Sequence, residues 1–352
     1  MKPSVSICIP TYNGAAYLGP CLDSALSQTT SDLEVLIVDD CSSDDSLDIA
    51  ERYARMDSRI RVSSNTVNLG LVENWNRCAQ LAQGEWVKFL FQDDLIVPDC
   101  LTRLLAAAHE FGVPFVSCAR DFLFEPGTAV DQRTSYRDHK AHIENLYRDS
   151  PHWSAEQSSA GALRWIGHNM FGEPTAVLLH RSVFARFGFF NPHLYSTCDL
   201  EYWVRVASNT GTAHIPDSLA TFRVHSGAMS AHYLQTPLGR YRIKTLDPLL
   251  IVHDYAFHPL YTRLRATAAQ SRPRIDLEDV FWKRALSALW FARRGSSHRT
   301  DWDASLLAEW QSISQHYPRL TSIPFRERVL AKWRALKKTF LLRTDRGKAA
   351  IQ

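Results

Sequence analysis

The chain has 352 residues, 45% hydrophobic and 22% charged, with a formal net charge of +3. That length can bury a sizeable core and hold more than one structural unit, and that composition excludes an extended disordered chain. A charge so close to neutral excludes the broad basic surface of a nucleic-acid binder, and no apolar run approaches the length needed to cross a bilayer.

Met1-Lys2-Pro3 leads straight into a strand-like run, with no signal peptide, so a cytoplasmic protein is expected. The seven cysteines, Cys8, Cys21, Cys41, Cys78, Cys100, Cys118 and Cys198, have no paired spacing. They predict reduced thiols, not a disulfide framework or a zinc site.

The first third alternates strand and helix signals. Residues 5–9 form a β-rich run ended by Pro10 and the turn pair Asn13-Gly14. A helix over 17–28 places Leu18, Leu22, Ala25 and Leu26 on one side. Strand 33–38 follows, then a helix capped by Asp44 or Asp45 that runs to Met56. Strand 60–62 and the polar loop 63–70 lead to a helix over 71–82, which Gly84 stops. Strand 86–91, a helix from Pro98 to His109 and strand 115–118 complete the series. This rhythm predicts an α/β fold with a doubly wound, mostly parallel sheet flanked by helices. Residues 121–169 are polar and weakly periodic and read as long loops with short helices. Strands are expected at 175–179 and 219–224, helices at 181–187 and 200–208. From Leu238 the chain reads as a helical C-terminal extension. The expected domains are therefore 1–235, divided into a nucleotide-binding half (1–118) and an acceptor half (119–235), and a helical region over 236–352.

Two acidic stretches stand out: Asp39-Asp40 after the apolar run 35–38, and Asp93-Asp94 after 86–90. In a parallel sheet the carboxyl ends of the strands share one edge, where ligands bind. Four carboxylates gathered there repel one another unless a cation or hydrogen-bond donors neutralise them. A single pair reads as an ordinary helix cap. Two pairs, at the ends of what read as neighbouring strands, predict a metal and nucleotide site.

The segment Ser4-Val5-Ser6-Ile7-Cys8-Ile9-Pro10-Thr11-Tyr12-Asn13-Gly14 resembles the opening of family 2 glycosyltransferases, which have the GT-A fold. The match continues in the family's order through Val38-Asp39-Asp40-Cys41-Ser42, Asn68-Leu69-Gly70 and Ala82-Gln83-Gly84-Glu85-Trp86. It goes on through Asp93-Asp94, Phe171-Gly172-Glu173-Pro174-Thr175, Cys198-Asp199-Leu200-Glu201-Tyr202-Trp203 and Phe222-Arg223-Val224-His225. The ordered blocks cover roughly the first 230 residues. Three departures are visible. The family's Asp-x-Asp is Phe91-Gln92-Asp93 here. An arginine common before the equivalent of Asn76 is Trp75, with Arg77 close by. The Gln-x-x-Arg-Trp signature of processive synthases is absent.

The resemblance implies an inverting, non-processive transferase of the bacterial surface-glycan type, moving one sugar from a nucleotide-diphosphate donor, a UDP-sugar, to a glycan or lipid-linked acceptor. It implies donor contacts from Pro10, Thr11, Tyr12, Asn13, Asp39, Asp40, Asn68, Asn76, Arg77 and Asp93. Thr11 and Tyr12 would line the nucleotide, and Asp39 or Asp40, foremost Asp40, would accept from the base. A divalent cation, Mn2+ or Mg2+, is expected at Asp93, with Asp94 and His225 as further candidates; Asp94 equally suits a loop-orienting role. Asp199 is the expected general base, with Glu201 secondary; a simple N-cap is the alternative for Asp199. His225 is as readily a packing residue as a ligand.

Between Phe325 and Leu342, Phe325, Val329, Trp333, Leu336 and Phe340 recur at helical spacing among Arg326, Arg328, Lys332, Arg334, Lys337 and Lys338. Such a helix either packs on the protein or makes peripheral membrane contact. Two rival functions are a sugar-nucleotide nucleotidyltransferase and a non-catalytic sugar-nucleotide-binding protein of the same fold. The first would need a Gly- and Arg-rich triphosphate loop, which Pro10 to Gly14 does not supply. Walker A and Gly-x-Gly-x-x-Gly motifs are absent.

Overall fold

A computed structural model of the chain describes residues 2–228, 235–295, 301–322 and 324. The basic amphipathic stretch 325–342 lies outside them. The chain divides into two compact units, one of residues 1–232 with 259–272, the other of 233–258 with 273–352. Residues 259–272 thus belong with the first unit.

The first unit is built on a nine-stranded sheet among the described residues, in the order β3-β2-β1-β4-β8-β6-β9-β5, with β7 paired to β9. Its first half is parallel. β1 (Val5–Thr11) lies between β2 (Leu33–Asp39) and β4 (Trp86–Phe89), and β2 carries β3 (Ile60–Ser64). All seven residues of β1 and of β2 are buried, as in strands covered on both faces. The helices between them are α1 (Ala15–Leu26), α2 (Ser46–Met56) and α3 (Leu71–Leu81). Because β1 intervenes, the two acid pairs do not end neighbouring strands as expected; they share one edge, one strand apart.

The second half mixes directions. β8 (Val177–His180) runs antiparallel to both β4 and β6 (Phe115–Phe124), while β6 runs parallel to β9 (Thr212–Val224). The short strands β5 (Leu95–Ile96) and β7 (His152–Trp153) add antiparallel pairings to β9. Irregular register around Ala119 lets β6 and β9 run on together well past the lengths their sequences suggested. α4 (Cys100–Phe111) precedes β6, and α7 (Ser182–Phe187) and α8 (Cys198–Thr210) follow β8.

The expectation of long loops over 121–169 is wrong. The stretch holds the end of β6, the 18-residue helix α5 (Val130–Tyr147), β7, and α6 (Ala155–Arg164). Only Ile143 and Tyr147 of α5 are buried, so the helix leaves no hydrophobic period to read. α6 did carry a local signal. Ser154 and Gln157 form a reciprocal capping box, a Ser-x-x-Gln spacing visible in the sequence.

The second unit is helical where described: Pro237–Tyr241, a π-helical turn at Arg242–Leu246, Asp247–Phe257, Leu277–Gly295 and Asp301–His316. Leu249, Leu250, Val252, Phe281, Ala285 and Ala288 form its buried interior. No helix among the described residues is long and apolar enough to cross a membrane.

Candidate active site

The loop after β1 turns sharply at Asn13, whose φ of 48° is left-handed, and the loop after β2 does the same at Cys41 with φ 61°. Asparagine adopts this conformation readily and cysteine does not. Side-chain hydrogen bonds hold the two loops together. Asn13 Oδ1 accepts from the Ser43 amide at 2.8 Å, and the Asn13 amide donates to Ser42 Oγ at 2.9 Å. Gln92, from the loop after β4, pairs with both backbone groups of Tyr12, at 2.9 and 3.1 Å. A Cβ on Gly14 would collide with that Gln92 side chain, so the clamp requires glycine there. Pro10 and Thr11 are buried, while Tyr12 is 38% exposed at the sheet edge.

The adjacent aspartates after β2 have different surroundings. Asp40 is buried, and its carboxylate accepts from Asn65 Nδ2 (2.9 Å), the Leu69 amide (2.8 Å) and the Gly70 amide (2.9 Å). It holds the 65–70 loop and the start of α3, so its carboxylate already has three internal donors. Asp39 accepts only from the Ser42 amide at 3.1 Å, and its buried Oδ1 has no hydrogen-bond partner. A buried carboxylate oxygen without a donor is costly, and ligand sites are where such costs are found. Asn68 supports the same loop by accepting from the Gly70 amide.

Asp93 and Asp94 also diverge. Asp94 is fully buried; Thr175 Oγ1 donates to it at 2.6 Å and the Arg223 amide at 2.9 Å. Burial, and then the neighbouring charge of Asp93, push its carboxyl well above the usual range. Its loop-orienting role is the one the geometry favours. Asp93 is partly exposed, and His225 Nε2 donates to its Oδ2 at 2.9 Å. The His225 ring packs tilted against Tyr17 at 4.6 Å, and the Tyr17 hydroxyl donates to Glu125. Arg223 Nε donates to the Asp93 carbonyl. Among the described residues no three carboxylates, histidines or cysteines converge as a complete ligand set. One carboxylate and one imidazole still fit Mg2+ or Mn2+, which take few protein ligands beside substrate phosphates.

Asp199 opens α8. Its Oδ1 accepts from the Leu200 amide at 2.7 Å, and Asn169 Nδ2 approaches Oδ2 at 3.4 Å. Burial, only partly opposed by the Leu200 hydrogen bond, pushes its carboxyl up to about 7. Behind it runs a network that the sequence did not reveal. His139 of α5 donates from Nε2 to the Asn169 carbonyl at 2.8 Å, because a carbonyl only accepts; its Nδ1 therefore accepts from Arg120 at 3.2 Å. Arg120, 1% exposed, holds Glu173 in a two-pronged ion pair. Burial acts to raise the Glu173 carboxyl, but Arg120 overcomes it and holds it below the usual range.

Three further sequence candidates have other surroundings. Asn76 is buried and spends its amide on the backbone of Phe190, at 2.9 and 3.0 Å. Arg77 is exposed on α3. Glu201 is buried against Arg205 and the Tyr261 hydroxyl. Two of the three departures from the family pattern meet: the Trp75 and Phe91 rings pack at 4.8 Å. A groove of about 370 Å³ at the opposite edge of the sheet, beside Glu34, Arg59 and Arg61, contains none of these residues.

The sheet thus carries acidic and histidine side chains at its carboxyl edge. Residues 6–188 match the model of glycosyl transferase family 2, and the chain belongs to that family. It is 32% identical over 244 residues to the putative glycosyltransferase EpsH of Bacillus subtilis, covering 68% of this chain and 61% of that one. It is also 30% identical over 258 residues to an uncharacterized protein, MT1568, of Mycobacterium tuberculosis, covering 70% and 77%. The chain thus spans less than two thirds of EpsH. In fold it resembles S. aureus TarS 1–349 in complex with UDP-GlcNAc, with a TM-score of 0.57 at 21% identity, over 94% of this chain and 84% of that one. It likewise resembles the mannosyltransferase PcManGT of Pyrobaculum calidifontis in complex with GDP-Man and Mn2+ (TM-score 0.54, 17% identity, 95% and 85% covered).

Proposed function

We propose that this chain is an inverting, non-processive glycosyltransferase that moves one sugar from a UDP-sugar to a hydroxyl of a glycan or glycolipid precursor. The observation that carries the donor assignment is Asp39. Its buried Oδ1 has no partner, and Asp39 pairs in register with Thr11, the residue before the exposed Tyr12; a uracil N–H would satisfy that oxygen and the ring would cover the base. Asp93 and His225 would hold a divalent cation, which when bound offsets the charge of the leaving diphosphate. The bound Mn2+ of the mannosyltransferase of similar fold supports that reading.

Asp199 acts as the base. The acceptor oxygen attacks the anomeric carbon as its proton passes to the Asp199 carboxylate. The bond from that carbon to the diphosphate oxygen breaks on the opposite face, and configuration inverts. Its raised affinity for protons suits the role, since a base works best when it titrates near the working pH. Asn169 and the His139–Arg120–Glu173 network fix its surroundings.

Binding and turnover across a panel of sugar nucleotides test the whole reading, with release of the nucleotide diphosphate as the signal. UDP should bind more tightly than CDP, and Asp39→Asn should weaken UDP by about tenfold to a hundredfold. Asp93→Asn should abolish most turnover and remove the effect of Mn2+ on donor affinity. Full activity of that variant under chelation overturns the metal assignment. Binding without any turnover would leave a non-catalytic binder.

A further inference from the structure

The α5 helix, which the polar sequence concealed, has two unlike sides. Arg133, Tyr136, Arg137 and Lys140 follow one helical stripe that ends at Glu144, with Asp131 and Asp138 on the other side; Lys140 is paired with Asp121 and Glu144, which leaves Arg133 and Arg137 as the stripe's cations without a carboxylate among the described residues. The basic stripe meets the end of β6. Tyr136 packs on Phe122 at 5.0 Å and on Phe222 of β9 at 6.0 Å. The guanidinium groups of Arg133 and Arg137 stand over the Phe124 ring at 5.7 and 5.9 Å. All four rings are half-buried, so a face of this wall is open. Neither arginine has a carboxylate within ion-pairing distance among the described residues; Arg133 donates only to the Thr128 carbonyl, and Arg137 is exposed.

Three links join the wall to the site. Phe222 precedes Arg223, which holds the Asp93 carbonyl. Arg120, the partner of Glu173, lies 5.3 Å from the Phe122 ring. His139, on the same helix, is linked through Asn169 to Asp199.

We propose that Phe122, Phe124, Tyr136 and Phe222, with Arg133 and Arg137, seat an acidic glycan acceptor. The C–H faces of sugar rings lie against aromatic rings. A guanidinium stacked on a ring keeps its N–H edge free for a carboxylate or phosphate, which it binds in a two-pronged geometry. An acceptor chain on this wall leads toward Asp199. The chain's small net charge and the confinement of the basic stripe to one helix favour a short acidic segment over a nucleic acid. The inference rests on reading the sheet edge as a donor-and-acceptor site.

The full chain and its Arg133→Gln/Arg137→Gln form are compared for binding of a short oligogalacturonate. Neutral malto-oligosaccharide, poly(U) and phosphatidylglycerol vesicles serve as contrasts, and UDP binding and the thermal melt as controls. The parent should prefer oligogalacturonate to the neutral sugar. The double variant should lose that preference, by about tenfold for two exposed charge pairs, with UDP affinity unchanged. Should the double variant melt early, Arg137→Gln alone, on an exposed side chain, gives the same comparison, and Tyr136→Ala tests the ring. No preference in the parent, or a preference the variants keep, overturns the proposal. So does tighter binding of poly(U) or vesicles that the variants lose. Loss of UDP binding by every form, parent included, strikes the donor reading instead.

Discussion

Asp39 and Asp40 are neighbours in the chain with separate work. Asp40 serves three internal donors, so Asp40→Ala should lower unfolding free energy by about 2–3 kcal/mol, measured by urea titration. Asp39→Asn should leave that stability nearly unchanged while UDP affinity falls. Asp199 has a distinct pH signature. Its carboxyl is raised in the folded chain from 3.8 to about 7. Between those values the folded state binds more protons than the unfolded state, so this group's contribution to stability falls as pH rises through the window. Asp199→Asn should remove that fall and be the more stable protein above pH 7. The same substitution should cut sugar transfer by about two to four powers of ten while donor binding persists. In the parent, turnover should rise with pH along a limb centred near 7. A parent-like rate in the variant would place the base elsewhere.

At the scale of elements, glycine sets how closely the chain packs at the sheet edge opposite the site. Gly84 ends the turn between α3 and β4 directly against the backbone of β1 at Ser6. A methyl group there meets main chain, which cannot move aside as a side chain can. Gly84→Ala should cost about 1–3 kcal/mol, read from a denaturant midpoint. The Glu201–Arg205 pair of α8 is likewise structural. Arg205 also donates to the carbonyls of Phe187 and Phe189, and Glu201 accepts from Tyr261. Arg205→Ala strands a buried carboxylate and should cost about 3–5 kcal/mol. α5 shows why an element can be invisible in a sequence. Its contacts with β6 and β9 are largely aromatic and cationic, and only Ile143 and Tyr147 of its 18 residues are buried.

For the whole molecule, the chain leaves the first unit and returns to it. Segment 259–272 supplies the Tyr261 hydroxyl to Glu201 and the Leu260 carbonyl to Asn209. A chain ending at residue 235 should therefore melt well below the full chain, in a thermal shift reported by UDP binding. An unchanged melt would mean that the returning segment adds nothing to the first unit.

The alternation of strands and helices in the first third and the carboxylates at two strand ends were legible because each depends on neighbours within a few residues; the Ser154–Gln157 cap is as local but lies in the stretch expected to be loops. The family blocks extended that reading to the catalytic edge. What the sequence could not distinguish is which acid of each pair is already satisfied. Asp40 is neutralised by donors from 65–70, and Asp94 by Thr175 and by the Arg223 amide, 129 residues away along the chain. Asn76 is lost to the site through Phe190, 114 residues on. β1 separates β2 from β4, β8 enters antiparallel beside β4, and α5 closes on β6 and β9. Hydrogen-bond satisfaction is a property of groups brought together from distant parts of the chain, so only the tertiary structure decides which carboxylates remain for a ligand.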